Sequence, residues 1–203
     1  MRCAARGVSA LLIVACLFAP IGCDRSGARS GEAKRKGGQV MDKRTVEKIA
    51  LRSSAFEEGQ AIPMRYTGDG QDVSPPLSWG ELPEGTAAVA LIVDDPDAPT
   101  PKPWVHWVIY NIPAGATGLP EASPATPELA EPQGAVQGRN TWDTIGYKGP
   151  APPKGHGVHH YHFKIYALDQ PVMTEPGATK DELLDRMSGN IIGQGELTGT
   201  YQR

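Results

Sequence analysis

The stretch Ala87-Ala88-Val89-Ala90-Leu91-Ile92-Val93-Asp94-Asp95-Pro96-Asp97-Ala98-Pro99 decides the fold. A continuous apolar run halted by two aspartates is the pattern of a strand buried on both faces. The acidic motif therefore sits at the end of a core strand. Pro96 and Pro99 each lock a backbone φ, and the residue before a proline is pushed toward extended geometry, so Asp95 and Ala98 are expected to be extended. Residues two apart on an extended segment face the same way, which predicts that Asp95 and Asp97 point at one ligand. Stiff backbone matters there, because ordering a loose side chain costs roughly 1–2 kcal/mol before any contact is gained.

Further strand patterns follow on either side. Alternation over residues 104–110 puts Trp104, His106, Val108 and Tyr110 on one face and Val105, Trp107 and Ile109 on the other, both apolar apart from His106. Over residues 159–168, His159, Tyr161, Phe163 and Ile165 share a face opposite His160, His162 and Lys164. His159 and Tyr161 should thus point inward as a pair. Residues 61–66 read as a short edge strand marked by Pro63 and closed by Gly68-Asp69-Gly70. Residues 114–131 form a Pro/Ala/Glu-rich loop, and residues 146–157 form a loop stiffened by Pro150, Pro152 and Pro153. One helix is evident near the end: Thr179 and Glu182 form a capping-box pattern, Leu183, Leu184 and Met187 an apolar stripe, and Gly189 a stop. The fold class is mainly β, with no internal repeat.

Residues 1–22 have the pattern of an export signal, with Arg2 and Arg6 before an apolar run too short to span a bilayer. The run ends in Pro20-Ile21-Gly22-Cys23, which resembles the bacterial lipobox, with Pro20 where leucine is usual. Cys23 is the expected lipidation site, and Asp24 after it resembles an inner-membrane retention signal. Residues 23–45 are expected to be a flexible basic tether, poor in large apolar side chains. Residues 24–48 carry eight basic and four acidic side chains, whereas residues 49–203 carry ten basic and nineteen acidic, which disfavours nucleic acid as a partner. Cys3 and Cys16 leave with the signal, so residues 46–203 must hold together as one domain by packing alone. The expected location is the cell envelope, with the domain in the periplasm or outside the cell.

Several motifs in fixed order give a resemblance that covers almost the whole exported domain. They are Ser74-Pro75-Pro76-Leu77-Ser78-Trp79, Asp95-Pro96-Asp97-Ala98-Pro99, Trp104-Val105-His106-Trp107, Gly138-Arg139-Asn140, the segment from Gly146-Tyr147 to His159-His160-Tyr161, and Gly195-Glu196-Leu197-Thr198-Gly199-Thr200-Tyr201. With them the chain resembles the phosphatidylethanolamine-binding proteins, in particular the bacterial Raf-kinase-inhibitor-like branch. The resemblance implies a central antiparallel sheet, a smaller second sheet and few helices. It also implies one small pocket for phosphate-like anions and phospholipid head groups, lined by Asp95, Asp97, Trp104, His106, Pro152, Pro153, His159 and Tyr161. Ala151 stands where animal members tend to have glycine, and no counterpart of their covering C-terminal helix follows Tyr201.

These residues also have plainer readings. His106 alone would be a satisfied core histidine, Asp97 a turn-former, and His159 and Tyr161 buried groups bonded to backbone. Arg139 and Asn140 read as structural. His156, His160 and His162 read as outward, their clustering being the only signal for a surface metal. The expected function is non-catalytic binding of a small anion or phospho-ligand, with no cofactor and a membrane partner reached through the lipid anchor. Because an anion beside two carboxylates needs compensating charge, His106 and His159 are expected to supply it and affinity to fall with rising pH. A pocket histidine has little packing to lose, so His159 is expected to be dispensable to the fold. The alternative is a metal-assisted or acid-base hydrolase using the same Asp/His set; no nucleophile elbow, His-Glu-x-x-His or phosphate loop supports it. Inhibition of a partner kinase or protease, and a homodimer through flat edge strands, are the remaining partner expectations.

Overall fold

The structure is a computed structural model that describes residues 45–203. The signal, Cys23 and nearly all of the tether lie outside the described residues.

At the centre of a six-stranded sheet runs β4 (Ala88–Asp95), every residue of which is buried. It pairs antiparallel with β5 (Trp104–Pro113) on one side and β8 (His159–Leu168) on the other. Beyond β8 lie β9 (Ile191–Tyr201), antiparallel, and then β1 (Glu47–Lys48), parallel; β7 (Val136–Gln137) borders β5. A second sheet joins β2 (Leu51–Ser53), β3 (Leu77–Trp79) and β6 (Gly118–Leu119), the last a short strand within the expected 114–131 loop.

The continuous apolar run of β4 has cover on both sides. Val89, Leu91 and Val93 face a core shared with Leu51, Leu77 and Trp79 of the second sheet. Ala90 and Ile92 face another core closed by Leu183 and Met187 of α1 (Lys180–Met187). The capping box is formed: Glu182 N–H donates to Thr179 Oγ1 and Thr179 N–H to Glu182 Oε2 at 2.8 Å. Truncating Leu183 or Met187 to alanine would remove about 2–5 kcal/mol. Asp94, buried at the sheet end beneath the helix, ties the two layers by accepting from Lys164 Nζ at 2.9 Å and from Lys180 Nζ.

Two departures from simple alternation matter for the site. The β4–β5 register steps from Val93↔Trp107 to Asp94↔Val105, so β5 carries an extra residue at His106. A bulge of this kind breaks the two-residue period. His106 is thereby moved onto the face of Trp107 and Ile109, against Tyr161, while Val105 packs with Val108 and Tyr110. The expected grouping of His106 with Val108 and Tyr110 does not hold. The expected strand over residues 61–66 is also absent: Met64–Tyr66 is a 3-10 turn, and Ala61 makes only a single bridge to Thr200. Thr67 closes the turn by donating twice to the Met64 carbonyl, through N–H at 3.0 Å and Oγ1 at 2.9 Å.

That turn anchors the proline loop. Gly68 N–H donates to Pro150 O at 2.9 Å and Tyr147 OH to Tyr66 O at 2.8 Å. A Cβ on Gly149 would lie 2.4 Å from Tyr66 O, so only glycine permits this approach.

Candidate functional site

A cavity of about 290 Å³ opens at the end of β4. It gathers Asp95, Trp104, His106, Pro152, Pro153, His159 and Tyr161, the predicted set without Asp97. A larger surface hollow of about 740 Å³ along β2 and β9 is lined, among the described residues, by no histidine or tyrosine.

Asp97 is turned away by Asp95 itself. Asp97 N–H donates to Asp95 Oδ1 at 2.8 Å, which bends the chain after β4 into a turn and ends the extended geometry that would have aligned the two carboxylates. The half-exposed Asp97 carboxylate instead accepts from His160, through N–H at 2.8 Å and Nδ1 at 2.7 Å. Burial pushes its pKa up, but these His160 bonds outweigh that and hold it below the ordinary carboxylate value.

Asp95 and His159 form a buried pair, with side chains 5% and 1% exposed and 2.7 Å between Asp95 Oδ2 and His159 Nδ1. Since the carboxylate accepts, His159 Nδ1 carries the proton, and Nε2 faces away from Asp95. His156, expected to point outward, fills that position: its Nδ1 lies 2.7 Å from His159 Nε2. His159 is thus satisfied on both nitrogens, and its expected dispensability to the fold fails, because removing it strands the buried Asp95 carboxylate.

His106 is pinned by its bulge. Its carbonyl accepts from Lys148 N–H at 3.0 Å, and its Nδ1 donates to Lys148 O at 2.6 Å. Nε2 remains for a ligand. Burial lowers the pKa of His106 below 6.5, more than the Lys148 carbonyl and the Asp95 and Asp72 charges raise it, so the ring is neutral near pH 7.

Tyr161, 1% exposed, stacks on His159 at 6.5 Å and meets His106 edge-on at 5.1 Å. Among the described residues its hydroxyl makes no well-formed hydrogen bond and reaches the Asp95 carboxylate only loosely. Burial first, then the Asp95 and Asp97 charges, hold its pKa far above an ordinary phenol, so it stays a protonated donor. Tyr161 O–H and His106 Nε2 are therefore two polar groups that the cavity offers, and among the described residues no lysine or arginine lines it.

Trp142, which sequence reasoning missed, stands at the mouth, 5.3 Å from Trp104 and 5.2 Å from His106. Asn140 holds it there by accepting from Trp142 N–H at 3.0 Å and donating to Gly146 O at 3.0 Å, the structural role expected for Asn140. Arg139 pairs with Asp143 at 2.8 Å, also as expected. His162 pairs with Glu196, and among the described residues no three metal-ligating side chains converge.

Two sheets, with a small aromatic cavity at one end of the larger sheet between β4, β5, β8 and the loops beside them, define a two-sheet β-rich protein. Residues 52–202 match the phosphatidylethanolamine-binding protein family model, and the chain belongs to that family. It is 50% identical over 153 residues to a UPF0098 protein of Methanothermobacter thermautotrophicus, covering 75% of this chain and 98% of the relative. A phosphatidylethanolamine-binding-protein homologue of Chlamydia trachomatis superposes with a TM-score of 0.69 at 39% identity, covering 77% of this chain and 99% of the other. Escherichia coli YbcL, described as a member of the mammalian phosphatidylethanolamine-binding protein family, superposes at 0.71 with 34% identity, covering 76% and 98%.

Proposed function

We propose that this protein binds a small anion or the phosphate of a phospho-head group in the cavity and does not turn it over. The observation that carries this reading is the buried Tyr161 hydroxyl, a donor with no well-formed bond among the described residues, facing the same space as His106. An anion oxygen accepts from Tyr161 and, once His106 takes up a proton, from Nε2–H. The family name supports a phospholipid-related ligand. Both ring nitrogens of His159 are engaged, by Asp95 and by His156, which removes one of the two pocket histidines as a free general base. We further propose that the segment before residue 45 exports the protein and anchors it through Cys23.

Binding is linked to a proton. In the free protein the His106 pKa lies below 6.5, and the bound anion raises it. Between the two values affinity falls about tenfold per pH unit as pH rises. The test is calorimetric titration of the full chain with phosphate and with glycerophosphoethanolamine at pH 6 and pH 8. Acetate, ionised at both pH values, controls for phosphate's own titration. Saturable binding at pH 6 that weakens at pH 8 is expected. No saturable binding at either pH, or tighter binding at pH 8, would overturn the reading.

A further inference from the structure

We propose that His156 and His159 form a two-imidazole site for a divalent cation of the zinc class at the edge of the cavity, with His159 in its lining, whose open coordination positions recruit the anion. The metal site stands on its own geometry; its coupling to an anion rests on the function proposed above.

The two ring nitrogens, His156 Nδ1 and His159 Nε2, face each other at 2.7 Å. Zinc bound to both at about 2.0–2.1 Å with a tetrahedral angle sets them about 3.3 Å apart. The two nitrogens therefore separate by about 0.6 Å and, with His159 held in place, the His156 ring swings about 1.9 Å sideways so that its Nδ1 lone pair meets the metal; the bridging proton leaves to solvent as the metal enters. His156 has room for this. It is exposed between Gly155 and Gly157, both at positive φ and both with open space where a side chain would stand. His159 is fixed. Asp95 holds its far nitrogen at 2.7 Å, the carboxylate-histidine arrangement that orients metal ligands.

The electrostatics of the cavity supply the second reason. A site that takes an anion usually provides fixed positive charge, yet among the described residues no lysine or arginine lines this one, and burial keeps His106 neutral. A metal at the His156–His159 pair provides that charge beside Tyr161, which stacks on His159. With two protein ligands, the remaining positions fall to water or to the anion's oxygens.

The test is titration of zinc into the full chain stripped with a chelator, read by calorimetry and by the visible absorption of the cobalt-substituted protein. The variants are His156→Ala and, as a control, His160→Ala, whose ring pairs with Asp97. One zinc per chain is expected, weakened tenfold or more by His156→Ala and within twofold of wild type in His160→Ala. Absence of saturable zinc binding, or full affinity in His156→Ala, would overturn the site. Glycerophosphoethanolamine is then titrated with and without saturating zinc. A tenfold or greater gain in wild type, absent in His156→Ala, supports the coupling. Equal affinity with and without zinc refutes the coupling and leaves the binding function intact; no binding in either condition refutes the binding function, while the zinc titration still decides the metal site.

Discussion

Tyr161→Phe separates a binding group from a structural one. The Phe ring keeps the contacts of Tyr161 with His106 and His159 and removes only the hydroxyl. A buried hydroxyl that contributes a bond to the fold costs stability when removed; one left unpaired already costs about 1–3 kcal/mol, part of which its removal recovers. The Tyr161 hydroxyl is close to the second kind, since it makes no well-formed bond among the described residues and reaches the Asp95 carboxylate only loosely. The variant should be as stable as wild type or gain about 1 kcal/mol, which raises Tm by about 2–4 °C in a chain of this size. Its binding should suffer, because a hydrogen bond to a charged acceptor is worth about 1.5–3 kcal/mol, or about 10- to 150-fold in Kd. Thermal denaturation without ligand and phosphate titration at pH 6 measure the two effects. A Tm lowered by several degrees with phosphate affinity unchanged would refute the reasoning, since the hydroxyl would then belong to the fold.

Three further outcomes follow from the same contacts. His159→Ala should destabilise the domain by about 3–5 kcal/mol, because it leaves the buried Asp95 carboxylate without its partner; chemical denaturation checks this. Asp94→Asn should cost about 3 kcal/mol, at the low end for a buried pair because Lys164 and Lys180 keep partial access to water. Burial raises the Asp94 pKa, but Lys180 and Lys164 more than offset this and hold it below the ordinary carboxylate value. That stability is present above about pH 4 and lost as pH falls through the depressed value, so wild type and Asp94→Asn should converge in denaturation midpoint only in strong acid. Thr179→Ala should cost about 1 kcal/mol by removing the cap of α1 and lower Tm by about 2–4 °C, without changing phosphate affinity.

The scaffold of the site was legible where local pattern and tertiary burial agree. The run ending at Asp94 had to be covered on both faces, and β4 is. Thr179 and Glu182 are three apart, so their reciprocal caps need no tertiary information. His159 and Tyr161 turned inward because β8 alternates from His159 to Ala167. The face of His106 was not legible, because a bulge leaves no mark in apolar periodicity and is set by pairing with β4 and by the Lys148 backbone. Asp97 was misplaced because a proline-fixed φ was weighed without the Asp95 side chain, which captures the Asp97 N–H and turns the chain. His156 and Trp142 escaped notice because their roles depend on where two loops are carried. The flanking glycines at 155 and 157 and the Asn140 turn were the available signals.

The most direct test of the central claim is a crystal structure of the protein grown with phosphate at pH 6. The account expects one phosphate in the cavity, with oxygens about 2.6–3.0 Å from Tyr161 Oη and about 2.7–3.2 Å from His106 Nε2. A phosphate bound elsewhere on the surface, with only solvent between Tyr161 and His106, would contradict it.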